Sequence, residues 1–134
     1  MTIRSRWLVP FVLVAGVLPW RPAVAASQRR LLLVFAPADS ADGLRRQRMI
    51  DRRAAADFAE RDLDVIEVVG NRVSGATEGA MVLRRRYRVA ANDFRVLLVG
   101  KDGGVKLDEA RPIAADRLGA TIDAMPMRRD EMRR

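Results

Sequence analysis

The chain contains no cysteine and no histidine. Without cysteine there is no disulfide framework, no thiolate nucleophile and no cysteine metal cage, so thiol-disulfide exchange and thiol peroxidase chemistry are excluded. Without histidine the commonest general base near neutral pH and the commonest zinc or copper ligand are also missing, and no Ser-His-Asp or Cys-His catalytic set can be assembled. Aromatic residues are scarce, and Tyr87 is the single tyrosine. Basic and aromatic residues therefore do not interleave as they do in nucleic-acid binders. The glycines Gly103 and Gly104 read as turn residues, because no Gly-x-x-x-x-Gly-Lys spacing is present and no helix follows them.

What the sequence does have is enough apolar residue, 49% of 134 positions, to bury the core of one domain. The formal charge of +8 overstates the basic character, because Arg4, Arg6 and Arg21 all lie in the first 25 residues, which hold no acid. Outside that stretch the only lysines are Lys101 and Lys106. An arginine bias of this kind, beside abundant Ala, Val and Gly, reflects a GC-rich bacterial genome more than a nucleic-acid partner.

The first residues have the three parts of a secretory signal. These are a basic start at Arg4 and Arg6, an apolar run over Trp7–Leu18, and a small-residue end at Ala23, Val24 and Ala25. The run is well short of the roughly 20 residues a membrane-crossing helix needs, and Pro10, Pro19 and Pro22 argue against a buried N-terminal helix of the domain itself. We read residues 1–25 as a signal peptide cleaved after Ala25 and residues 26–134 as the mature domain, with an ordered core over about 29–126. This implies a periplasmic or secreted location and no permanent membrane span after cleavage.

Along the mature chain, Leu31–Phe35 is an unbroken apolar run that reads as a strand buried on both faces. Helix formers fill Gly43–Arg61, with Asp39, Ser40 and Asp42 as candidate caps and Leu44, Met49, Ile50, Ala54, Ala55 and Phe58 on one side. Leu63–Val69 alternates as a strand and stops at Gly70 and Asn71. Arg72–Thr77 reads as loop, and Glu78–Tyr87 as a shorter helix with Met81, Val82 and Leu83 as its apolar side. Phe94–Val99 and Val105–Leu107 flank the turn residues Gly100–Gly104 and predict a hairpin. Pro112 opens a final helix that Pro126 ends, leaving a charged, frayed tail. The order β-α-β-α-β-β-α predicts a four-stranded mixed sheet flanked by helices, as in thioredoxin-like domains.

Several segments resemble the bacterial exported domain of unknown function four-one-seven-four: RRLLLVFAP at Arg29–Pro37, LRRQR at Leu44–Arg48, AERDLDVIEVVG at Ala59–Gly70, LRRRYRV at Leu83–Val89, FRVLLVGKDGGVKL at Phe94–Leu107 and IDAMPMRRDEM at Ile122–Met132. The resemblance implies export, a thioredoxin- or peroxiredoxin-like fold shared with domains of animal sushi-repeat extracellular proteins, and no established activity. It also implies where a redox site would sit. In redox thioredoxins the first helix begins at a Cys-x-x-Cys pair, and here that turn reads Ala38, Asp39, Ser40, Ala41 and Asp42. A cis-proline faces the pair in those proteins, and here Asn92 or Asp93 takes its place.

The candidate chemistry is correspondingly thin. Ser40 lacks an activating base, so an ordinary helix-end role outweighs a nucleophile, and Asp39 with Asp42 is a sparse set for a hard cation. Met125, Met127 and Met132 are soft ligands of the kind that hold copper(I), but gap-filling packing is the simpler reading. Arg84, Arg85 and Arg86, and likewise Arg128 and Arg129, are candidate binding residues, since guanidinium forks pair with carboxylates and phosphates. The sequence therefore predicts a non-catalytic interaction or binding module that needs no cofactor and no metal, with an envelope protein as partner and no nucleic acid. The alternatives are a peroxiredoxin-derived enzyme or antioxidant factor with a non-thiol site, or a carrier of a small anion or metal.

Overall fold

A strand flanked by neighbours and covered on both faces needs apolar side chains at every position, and strand β1 (Arg30–Ala36) meets that condition over all but its first residue. In the computed structural model, which describes residues 28–134, β1 is the centre of a five-stranded sheet in the order β3-β2-β1-β4-β5. The signal peptide expected at 1–25 lies outside the described residues. Strand β2 (Leu63–Val69) runs parallel to β1, and β4 (Arg95–Val99) runs antiparallel on its other side. Strand β5 (Val105–Glu109) closes one edge through the predicted hairpin.

The other edge corrects the four-strand expectation. Arg72–Ser74, expected as loop, forms strand β3 against Glu67–Val69 of β2. Gly70 turns the chain at φ 56, a left-handed conformation that favours glycine, and makes the connection tight enough for pairing.

Side-chain alternation along the strands divides the core in two. Leu32, Val34, Ala36, Val96 and Leu98 face helices α1 (Asp42–Arg53), α2 (Ala55–Glu60) and α4 (Ala115–Asp123). Leu33, Phe35, Ile66, Val68 and Leu97 face the single helix α3 (Ala80–Tyr87). The expected helix over Gly43–Arg61 is present but breaks at Ala54, whose backbone relaxes to φ −97 and ψ 9. Its inner stripe is Leu44, Gln47, Asp51, Ala54 and Phe58 at alternating steps of three and four, while Met49 is exposed. Two of those inner positions are polar because Gln47 clamps the chain ahead of α4. The Gln47 Oε1 accepts from the Ile113 N–H at 2.8 Å, and its Nε2 donates to the Ile113 carbonyl at 3.3 Å and to Asp51 Oδ1 at 2.8 Å.

The chain end differs from the expected frayed tail. Pro126 does not only end the preceding helix. It occupies the first turn of helix α5 (Pro126–Met132), where a missing N–H costs nothing. None of the five described helices has a side-chain hydrogen bond at its N-cap. Ala41, not Asp39, Ser40 or Asp42, caps α1. No described helix is long and apolar enough to cross a membrane.

Candidate functional site

The start of α1 follows the C-terminal end of β1, where the fold's redox cysteines would lie. The Ala41 N–H bonds to the Ala38 carbonyl at 3.1 Å and forms an exposed turn, but the polar residues of this turn do not converge. Asp39 reaches sideways to Arg48 at 3.2 Å and to Arg72 of β3. Asp42 pairs along its own helix with Arg45, which holds its carboxyl below the usual range. Ser40 is exposed, and so are Asn92 and Asp93 across the loop.

The space beside this turn is filled by a ring. A β-carbon placed on Gly43 would come within 2.8 Å of Cδ1 and Cε1 of Phe94, so the glycine in the first turn of α1 exists to seat that ring. Neither a nucleophile nor an oxyanion-binding donor set is assembled here, and the described residues hold no cluster of three or more Asp or Glu placed for a metal.

Beside the turn, α1 and the β2–β3 hairpin enclose a groove of about 280 Å³ lined by Arg48, Glu67, Arg72 and Ser74. Arg48 donates to Glu67 from both Nε, at 2.9 Å, and Nη2, at 2.6 Å, so most of the groove's charge is compensated within it. Asp51 lies against the adjoining groove with Arg48, Arg52 and Glu67. Burial pushes its carboxyl up to about 6, against the hydrogen bond from Gln47 and with a further push from the charge of Glu67.

The arginines of α3 separate by direction. Arg84 turns inward, donating to the carbonyls of Ala36 at 3.1 Å, Gly70 at 3.4 Å and Ala90 at 3.2 Å, with its guanidinium 5.7 Å from the centre of the Phe35 ring. Burial lowers its pKa, and its role is to tie the ends of β1 and β2 to the loop after α3. Arg85 and Arg86 point outward, Arg86 toward Glu78 at 3.3 Å. Sequence reasoning set Met81 and Val82 on the inner side of α3, but Ala80, Leu83 and Tyr87 hold that side. Met81 is 71% exposed and Val82 50%.

Arg128 and Arg129 also differ. Arg129 is exposed, whereas Arg128 is buried, donating to the Glu60 carbonyl and to Glu60 Oε1, each at 3.1 Å. Arg128 belongs to a charge network at the N-terminal end of β1 that no sequence pattern announced. Arg30, wholly buried, donates to the Arg61 carbonyl at 2.8 Å and to both carboxylate oxygens of Glu131 at 3.3 Å. Lys101 adds bonds to Glu131 at 2.6 Å and Asp62 at 2.9 Å, holding both carboxyls below their usual range while its own pKa rises. The methionines suggested as copper ligands sit nearby on different terms: Met125 packs on the core, and Met127 and Met132 are about half exposed.

A mixed sheet centred on parallel β1 and β2 and antiparallel β4 and β5, with its first helix beginning at the end of β1, is the thioredoxin-like arrangement, here without the residues for thiol chemistry. The chain belongs to the family described as Domain of unknown function (DUF4174), which matches residues 23–131. Among solved structures it is similar to the reduced 2-Cys peroxiredoxin of Plasmodium vivax, with a TM-score of 0.55 and 17% identity over 78% of this chain and 80% of the other. A thioredoxin-fold protein from Helicobacter pylori matches at a TM-score of 0.48 and 12% identity over 75% and 73% of the two chains. No curated protein matches the sequence.

Proposed function

We propose that this domain is a binding module that engages a protein partner through the outer face of α3. The observation that carries the reading is the exposure of Met81, at 71%, and Val82, at 50%, beside outward-facing Arg85 and Arg86. Apolar side chains left open within a basic rim suit a segment that presents apolar and acidic residues together. Among the described residues a single helix covers this face of the sheet, so its outer side is not shared with another described element. The filled space at Phe94 weighs against an enzyme working at the start of α1, and the signal peptide read at residues 1–25 supports an interaction in the cell envelope or outside the cell.

The test is crosslinking capture in the native envelope, followed by affinity measurement with the isolated partner. Changing Met81→Ser, Arg85→Glu and Arg86→Glu together is expected to weaken binding by tenfold or more while leaving the fold intact, and the crosslinked segment of the partner is expected to be acidic. Arg84 is left unchanged because it holds backbone carbonyls. A partner that binds the triple variant as tightly as the unaltered domain would remove α3 as the binding face.

A further inference from the structure

We propose that the chamber between the β4–β5 turn and the start of α5 binds a small oxyanion, either a carboxylate or an inorganic phosphate or sulfate. The chamber has a volume of about 50 Å³ and is lined on its charged side by Arg30, Lys101, Lys106 and Asp102. Arg30 is fully buried, and Glu131 occupies the end of its guanidinium, yet its Nε has no hydrogen-bond partner. A buried charged donor without an acceptor is costly, and native structures seldom leave one unmet. An oxyanion bound along the side of the guanidinium supplies that acceptor, since the Nε edge is one of the two forks arginine offers to paired oxygens.

The unmet donor and the size of the chamber favour the same class of ligand. Lys101 and Lys106 lie on its wall, Lys101 paired with Glu131 and Asp62 and Lys106 with Asp102 at 2.9 Å, so the Nε of Arg30 is the donor that an oxyanion would newly satisfy. The volume is several times what one water needs but leaves no room for a nucleotide or a sugar. Met125 and Met127 form the apolar side, which limits water and strengthens each charged contact. The chamber also explains sequence features that the α3 face leaves unused. Its walls come from RRLLLVF, GKDGGVKL and DAMPMR, segments far apart in the chain.

The experiment titrates the protein with acetate, phosphate and chloride at constant ionic strength, following thermal unfolding and backbone amide resonances. Acetate or phosphate is expected to shift the amides of Gly100–Lys106 and Met125–Met127 saturably, and to raise Tm by about 10 °C at a hundredfold excess over Kd. A response to acetate alone assigns an organic carboxylate as the ligand, and a response to phosphate alone assigns an inorganic oxyanion. Removing Arg30 endangers the fold, so the variant is Lys106→Gln, whose parent side chain is 34% exposed. It is expected to keep the unliganded Tm and to weaken binding about tenfold. The proposal is overturned if neither oxyanion gives a saturable response, if chloride acts equally, or if K106Q binds unchanged.

Discussion

The two ends of strand β1 are closed by opposite means. At the Ala36 end, where the fold's redox members keep their thiols, closure is by packing and backbone contacts. The Phe94 ring sits on Gly43, and Arg84 gathers the carbonyls of Ala36, Gly70 and Ala90. At the Arg30 end closure is ionic, with Arg30, Lys101 and Arg128 interlocked with Glu131, Asp62 and Glu60. Among the described residues, two of the three buried charged side chains, Arg30 and Arg128, and the one buried side-chain donor without an acceptor lie at the Arg30 end.

The sharpest way to break this contrast is Glu131→Ala. It strands Arg30, whose side chain is 1% exposed, and takes a partner from Lys101. Removing one member of a buried pair leaves an uncompensated charge, so unfolding in denaturant should show a loss of about 3 kcal/mol. Adding Arg30→Met to Glu131→Leu should recover most of that loss, because the charge and its partner then leave together. Recovery would establish that the intact network adds little net stability over apolar packing.

A middle-sized effect belongs to Asp51, on α1 between the two ends. Its carboxyl lies at about 6 in the folded protein against 3.8 for the ordinary group, so the folded state holds the proton more tightly. The contribution of Asp51 to stability is therefore largest in acid, falls as pH rises from about 4 to 6, and stays reduced above that. Asp51→Asn keeps an oxygen to accept from Gln47 Nε2 and removes the charge. We expect a gain of about 2 kcal/mol at pH 7.5 and little change at pH 4, measured by urea unfolding at both pH values.

The smallest effect probes the packing at the Ala36 end by a change of sign. Gly43→Ala forces its new methyl group against Phe94 and should cost about 1 kcal/mol. In a Phe94→Ala background the same change should stabilise by up to about 1 kcal/mol, because alanine is then simply the better helix former. A stabilising Gly43→Ala in the unaltered chain would mean that the ring does not hold that space.

The regions most legible in the sequence were those where burial alone dictates composition. Leu31–Phe35, Leu63–Val69 and the hairpin at Gly100–Gly104 carry their structure in local patterns. Strand β3 was missed although its signal was present, since Gly70 and Asn71 lie between Val69 and Arg72 as a two-residue hairpin connection would. Met81 and Val82 misled because α3 is short and either of two sides satisfies its apolar pattern. The sheet, presenting Phe35 and Val68, takes Ala80, Leu83 and Tyr87. Buried Arg30, Arg128 and Gln47 were beyond local reading, because a polar residue can be buried only beside partners, and theirs are remote in sequence. The chamber at Arg30 was illegible for the same reason.

The uncapped helices have a consequence for how the chain acquires its shape. With no side chain bonded at any N-cap, the helices draw their stability from docking on the sheet. The sheet cannot form its centre until Leu33 has met Leu97, near the far end of the chain. The central strand therefore completes its pairing only once β4 is in place, so ordering of the domain should be cooperative rather than element by element.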